Sequence, residues 1–115
     1  MKVDRDIAYW LWRQGWVSLK RDYKRGHGDG FMLKVLTREL KTCKGTYFSR
    51  RIAWEKTLDE LLPQIEAFLR LYWPDLGLGN IIQLHNELTE PVTVFGKVFP
   101  PDTWTVVEVP DVNGD

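Results

Sequence analysis

The sequence predicts an α+β fold: an N-terminal helix, a three-stranded antiparallel meander, an amphipathic helix and then a C-terminal β-hairpin region. Three observations indicate this class. Alternating apolar and polar residues occupy residues 16–54, a capped helical pattern starts at Thr57, and the final third is rich in β-branched and aromatic residues. With 115 residues, 43% of them hydrophobic, the chain can build one core. We therefore expect a single domain over residues 1–110 and a frayed tail over 111–115.

A short helix is expected over residues 4–13. Asp4 is a suitable N-cap and Asp6 adds a favourable negative charge in the first turn. Apolar residues then gather toward one side, and Gly15 ends the pattern.

Three strands follow, Trp16–Tyr23, Phe31–Leu40 and Thr46–Trp54. In the first, Val17 and Leu19 lie on the face opposite Lys20. In the second, Leu33 and Val35 lie opposite Lys34. In the third, Phe48, Ile52 and Trp54 are expected to share a face. The glycine-rich segment 25–30 and the pair Lys44-Gly45 supply the turns.

The clearest helix spans residues 57–73. Thr57 and Glu60 form a capping box, and the following apolar residues have helical spacing until Pro74. Pro63 deletes one backbone hydrogen bond, so we expect either a kink there or a main helix that begins near Leu62.

The final third is expected to be β structure. The candidate strands are Ile81–Leu88, Pro91–Phe95, Val98–Phe99 and Trp104–Val109. Gly96 and Lys97 fit the centre of a two-residue hairpin turn. Whether these strands join the meander is left open by the sequence.

The formal net charge of zero conceals a strong asymmetry. Residues 1–56 contain 14 Lys and Arg against six Asp and Glu, a net +8, whereas residues 57–115 contain two against ten, a net −8. Such a split indicates an anionic partner for the basic half. The alternative is that the two halves pack together, or that neighbouring molecules stack, so that the charges neutralise each other.

Segment 16–54 interleaves cations with aromatic residues, which together are typical of nucleic-acid surfaces. Cations replace counterions on phosphates, and aromatic planes stack on exposed bases. An antiparallel ribbon can also enter a major groove. The candidate nucleic-acid-binding residues are Lys20, Lys24, Arg25, Lys34, Arg38, Lys44, Arg50 and Arg51. The competing interpretation is an ordinary solvated sheet surface above an aromatic core.

The order of three strands and a helix in residues 4–73 resembles the arm-binding domain of phage integrases. With the leading helix it also resembles a double-stranded-RNA-binding domain. These resemblances concern topology and imply nucleic-acid binding. The RNA-binding family opens its last helix with cations, whereas Asp59 and Glu60 occupy that turn here. Acidic residues there repel phosphate, so DNA contact through the sheet is favoured.

A second resemblance lies in Glu90-Pro91-Val92-Thr93-Val94-Phe95-Gly96-Lys97-Val98-Phe99-Pro100-Pro101 and Val106-Val107-Glu108-Val109. This pattern is similar to short β modules of small phage and prophage proteins, and it implies a mobile-element origin. The alternative function is then a phage-encoded protein-interaction module that targets a host or virion protein. Its candidate residues are Asp59, Glu60, Glu66 and Trp104.

Enzymatic function is not indicated. His27, His85 and Cys43 are the only histidines and the only thiol, and no local motif joins them into a catalytic or metal-binding group. We expect no cofactor, no metal and no membrane partner. The single cysteine and the lack of a long apolar run favour a cytoplasmic location.

Overall fold

The computed structural model describes residues 3–12, 16–38, 47–76 and 82–110, and within them the predicted α+β class is confirmed. The predicted tail, 111–115, lies outside the described residues. The helices are α1 (Arg5–Trp12) and α2 (Leu58–Tyr72), and α2 continues into a 3₁₀ turn, Trp73–Leu76. The strands are β1 (Trp16–Lys24), β2 (Gly28–Arg38), β3 (Tyr47–Glu55), β4 (Ile82–Asn86), β5 (Val92–Val94), β6 (Lys97–Phe99) and β7 (Thr103–Val107).

The predicted meander is one side of a larger sheet with the strand order β3-β2-β1-β4-β7. Strands β1, β2 and β3 pair antiparallel, as the sequence predicts. Because α2 carries the chain back across the sheet, β4 pairs parallel with β1, and β7 then pairs antiparallel with β4. The sequence left open whether the C-terminal strands join the meander. Strands β4 and β7 join it in the central sheet, whereas β5 and β6 form a separate two-stranded sheet.

A β-bulge interrupts the pairing of β2 with β3. Leu33 pairs with Ala53 but Lys34 pairs with Arg51, which leaves Ile52 as an extra residue on β3. Ile52 consequently points toward the helices, where it packs against the core, while Trp54 pairs with Met32 on the opposite side. The prediction that Ile52 and Trp54 share a face is therefore wrong, since the bulge breaks the two-residue alternation.

The core lies between one face of the sheet and the helices. Alternate residues of β1, β2 and β4 are completely buried there against the apolar side of α2. The buried α2 residues are Leu61, Ile65, Phe68, Leu69 and Tyr72, which follow the helical spacing seen in the sequence. Within the described ranges, no helix is long and apolar enough to cross a membrane.

Helix α2 runs without interruption through Pro63. Thr57 caps it: its hydroxyl accepts a hydrogen bond from the Glu60 amide at 3.3 Å and donates to the Glu60 carboxylate at 2.7 Å. Pro63 lies only one turn inside the helix, and its ring is exposed. The missing bond therefore affects one carbonyl near the N-terminal end, and the helix does not restart at Leu62.

The hairpin of β5 and β6 turns one residue earlier than predicted. Val94 pairs with Lys97, so the two central residues are Phe95 and Gly96, with φ values of 52° and 75°. Two consecutive positive φ values define a type I′ turn. The predicted turn had Gly96 and Lys97 at its centre, and a phenylalanine rarely adopts the positive φ that Phe95 has here. Here the Glu66 carboxylate accepts a hydrogen bond from the Phe95 amide at 2.8 Å, and the Arg70 guanidinium stacks over the ring at 4.9 Å.

Asn86 connects the hairpin to the end of β4. This completely buried side chain donates hydrogen bonds to the carbonyls of Glu90, Phe99 and Pro100 at 3.1, 2.9 and 3.2 Å. Its own carbonyl accepts one from the Leu88 amide at 3.0 Å. The two hydrogens of one amide are thus shared among three carbonyls, and its oxygen accepts from a fourth backbone group.

Candidate nucleic-acid interface

The sheet has one face against the helices and one face directed away from them, which we call the outer face. The register places every second residue of each strand on it, opposite the buried positions such as Val17, Leu33 and Leu84. The described outer-face residues that carry a charge or a ring are Trp16, Lys20, Asp22, Lys24, Lys34, Arg51, Trp54, His85 and Trp104.

Positive charge dominates this face. Lys20, Lys24, Lys34 and Arg51 lie on three adjacent strands, and Asp22 is the one carboxylate among the strand residues named above. Asp22 accepts a hydrogen bond from the Arg51 guanidinium at 2.7 Å. The same guanidinium contacts the Met32 sulfur at 3.1 Å, which fixes its position over the sheet. The bulge thus directs Arg51 to the outer face beside Lys34.

An aromatic cluster occupies the other end of the outer face. The rings of His85 and Trp104 stack nearly parallel, with centroids 4.3 Å apart and planes inclined by 9°. Trp16 approaches Trp104 at 5.3 Å in a tilted arrangement. Because β7 is an edge strand, Trp104 stands at the rim of the sheet, and 44% of its surface is exposed.

Another aromatic side chain, Trp54, lies on the outer face near the β1–β2 turn. The indole of Trp54 covers Gly30 and donates a hydrogen bond to the Asp22 carbonyl at 3.1 Å. The Lys24 ammonium lies 5.3 Å from the ring centroid, and His27 packs against the same ring at 5.7 Å. The turn itself closes through a 2.8 Å bond from the His27 amide to the Lys24 carbonyl, with Gly26 at φ 84°.

Arg50 lies on the other side of the sheet. It pairs with the core residue Val35, and its guanidinium forms a short ion pair with Asp4 and stacks over Trp10 at 5.3 Å. Asp4 also caps α1, since its carboxylate accepts hydrogen bonds from the amides of Asp6 at 2.8 Å and Ile7 at 3.3 Å. The backbone hydrogen bond from Ile7 above all, helped by those from Asp6 and by Arg50, lowers the pKa of Asp4.

The structure therefore divides the eight predicted nucleic-acid-binding residues. Lys20, Lys24, Lys34 and Arg51 lie together on the outer face, and Arg25 is exposed in the adjoining turn. Arg50 is separated from them by the thickness of the sheet. Arg38 pairs with Tyr47 at the end of β2, and its side chain lies outside the described part of the structure. Lys44 falls outside the described residues.

The four residues predicted for protein interaction do not share one surface. Asp59 and Glu60 are exposed at the start of α2, where Glu60 completes the helix cap. The Glu66 carboxylate accepts a hydrogen bond from the Phe95 amide. Trp104 lies on the outer face, on the opposite side of the sheet from α2.

The ion pairs among the described residues do not join the basic half to the acidic half. Within the described ranges, each ion pair of an arginine or lysine links two residues of the segment 1–56: Arg50 with Asp4 and Asp6, and Arg51 with Asp22. The neutralising alternative requires carboxylates of the later half on these cations, and such ion pairs are absent from the part of the chain that is described.

The sequence did not indicate His85 as part of the candidate site, and it indicated Trp16 only as one of the aromatic residues of segment 16–54. The alternation Ile82, Leu84, Asn86 correctly directs His85 away from the core. The missing information was the partner of β4, because the parallel pairing with β1 brings His85 next to Ser18 and Trp16 next to Gln83. Such long-range pairing leaves no local signal in the sequence.

The fold and its surface define a two-layer α+β protein with helices on one side of a five-stranded sheet and a basic, aromatic outer face. Among the residues described, no three histidine, cysteine or acidic side chains are grouped so that they could hold a metal ion. Comparisons with protein-family models, with curated proteins and with solved structures gave no significant match.

Proposed function

We propose that the protein is a non-enzymatic nucleic-acid-binding accessory protein that contacts DNA through the outer face of its sheet. The observation that carries this proposal is the composition of that face: four cations on three adjacent strands with Asp22 among them, and at the other end an aromatic cluster in which Trp104 is exposed and the Glu87 carboxylate lies 4.0 Å from His85. Phosphates and bases offer the two complementary groups, negative charge and flat rings.

The first turn of α2 supports sheet-mediated contact over helix-mediated contact. A helix N-terminus binds phosphate when its amide groups are available and the local charge is not negative. Here the Glu60 amide already donates a hydrogen bond to the Thr57 hydroxyl. Both Asp59 and Glu60 add negative charge at this end of the helix. A double-stranded-RNA-binding mode that needs a basic helix start is therefore disfavoured, and the sheet remains as the contact surface.

The resemblance of the C-terminal segment to small phage proteins supports a mobile-element origin for such a protein. A small accessory protein of a mobile element would act beside DNA without catalysis of its own. A host or virion protein as partner is the alternative, but its predicted residues lie on opposite sides of the sheet.

The test is a fluorescence-anisotropy titration of the whole chain against labelled DNA, single-stranded and duplex, at several salt concentrations. Contacts from the four outer-face cations predict a log–log slope of the binding constant against salt of about −2 to −3 for a single strand. A lack of binding to every DNA even at low salt would refute the proposed function. Recovery of one stoichiometric protein partner from nuclease-treated lysate, with no DNA binding, would favour the alternative.

A further inference from the structure

We infer that the ligand of the outer face is single-stranded DNA and that Trp104 is the platform on which an unpaired base stacks. This inference rests on the proposed function and adds the form of the nucleic acid and the residue that contacts a base.

The geometry around Trp104 provides the platform. His85 covers one face of the indole at 4.3 Å with nearly parallel planes, and Trp16 contacts it at 5.3 Å. Both neighbours hold the ring upright on the sheet, so little side-chain freedom remains to be lost when a base binds. His85 covers one face of the indole, and 44% of the Trp104 surface stays exposed on the edge strand β7. A base stacked there extends the existing ring stack by one layer.

The cations lie where the backbone of such a strand would pass. Trp104 stands on β7 at one edge of the sheet, and Arg51 stands on β3 at the other edge. Lys20 on β1 and Lys34 on β2 lie between these edges on the same face. A strand that crosses the sheet from β7 to β3 can therefore place one base on Trp104 and its phosphates near three cations in succession.

Duplex DNA fits this surface poorly for two reasons. Its bases are already stacked, so they present no free face to an indole. In addition, five strands at a spacing of about 4.8 Å make a sheet about 19 Å wide, whereas the major groove is about 12 Å wide. The two- or three-stranded ribbon that the sequence suggests could enter a groove, but β4 and β7 widen it beyond that size.

The experiment compares Trp104→Ala with a matched control, Trp12→Ala. Trp12 has a similar exposure, 52%, but it lies on α1, on the helix side of the sheet. Binding of a short labelled oligothymidylate is measured by anisotropy, together with its duplex and with an RNA strand of the same length. We expect tighter binding of the single strand than of the duplex. Trp104→Ala should weaken single-strand binding about 5- to 150-fold, while Trp104→Phe restores much of it and Trp12→Ala has no effect.

The possible failures are distinguishable. If no nucleic acid binds, the proposed function fails together with this inference. If duplex binds as tightly as the single strand, or Trp104→Ala binds like the wild type, the inference is overturned while the proposed function stands. A clear preference for the RNA strand would overturn DNA as the ligand. Retention of the wild-type far-ultraviolet circular dichroism and melting temperature by Trp104→Ala separates lost stacking from lost folding.

Discussion

Gly30 is a position where the addition of one methyl group should destabilise the fold strongly. A Cβ at this position would lie within 2.6 Å of two ring carbons of Trp54 and of the Glu55 carbonyl oxygen. These separations are about 1 Å shorter than carbon atoms tolerate. The ring cannot move freely, because it donates a hydrogen bond to the Asp22 carbonyl and carries Lys24 and His27 against it.

The expected cost of Gly30→Ala follows from these contacts. Overpacking of this kind costs about 1–3 kcal/mol, and loss of the Trp54 hydrogen bond adds about 1 kcal/mol. The smaller conformational freedom of alanine in the unfolded chain offsets about 0.4–1 kcal/mol. We therefore expect the free energy of unfolding to fall by about 1–3.5 kcal/mol, measured by urea denaturation followed by circular dichroism.

The double variant Gly30→Ala/Trp54→Ala tests the reasoning. Removal of the indole eliminates the main clash, so Gly30→Ala should cost less in the Trp54→Ala background than in the wild type. Gly28→Ala serves as a second control, since nothing lies within 4 Å of its added Cβ and only its φ of 90° opposes the change. An equal cost of Gly30→Ala with and without the indole would refute the steric explanation.

Three further predictions concern the polar side chains of Asn86, Asp4 and Glu66. Asn86→Asp should lower the free energy of unfolding by about 3–5 kcal/mol, because a buried carboxylate cannot donate to the three carbonyls that Asn86 now satisfies; urea denaturation measures this. Folding lowers the pKa of Asp4, so its carboxylate stabilises the folded state. This stabilisation is fully present above the ordinary aspartate pKa of ~4, and it is lost as pH falls through the lower pKa of the folded state. Asp4→Asn should thus lower the urea midpoint at neutral pH, and the difference from the wild type should shrink in acid. Glu66→Ala should cost about 1 kcal/mol, because it leaves the Phe95 amide unpaired, whereas Glu66→Gln keeps an acceptor and should cost less.

Local patterns in the sequence predicted much of the secondary structure. Strand alternation around Val17 and Leu33, the capping box at Thr57 and the helical spacing through Tyr72 all correspond to contacts in the fold. These features depend on neighbours within a few residues, and the sequence displays such neighbours directly.

The parts that could not be predicted depend on distant partners. The bulge at Ile52 is stabilised by pairing with the neighbouring strand β2. The positive φ of Phe95 is stabilised by the Glu66 carboxylate, which accepts a hydrogen bond from the Phe95 amide. The parallel pairing of β4 with β1 is likewise set by how α2 packs on the sheet. For the candidate site, the cations Lys20 and Lys34 were placed by alternation alone. The ring stack of His85 and Trp104 required the register of β4 with β7.

If the outer face contacts DNA, binding should depend on the position of the cations on that face and not on the overall charge of the chain. Two triple variants that remove the same charge test it: Lys20→Gln/Lys34→Gln/Arg51→Gln on the outer face, and Arg5→Gln/Arg21→Gln/Arg70→Gln at exposed positions on the helices or on the other face of the sheet. The measurement is the salt dependence of single-stranded DNA binding for each variant and the wild type. We expect the first variant to lose about two units of the log–log slope and most of its low-salt affinity, and the second variant to keep the wild-type slope. Equal losses in both variants, or an unchanged slope in the first, would contradict it.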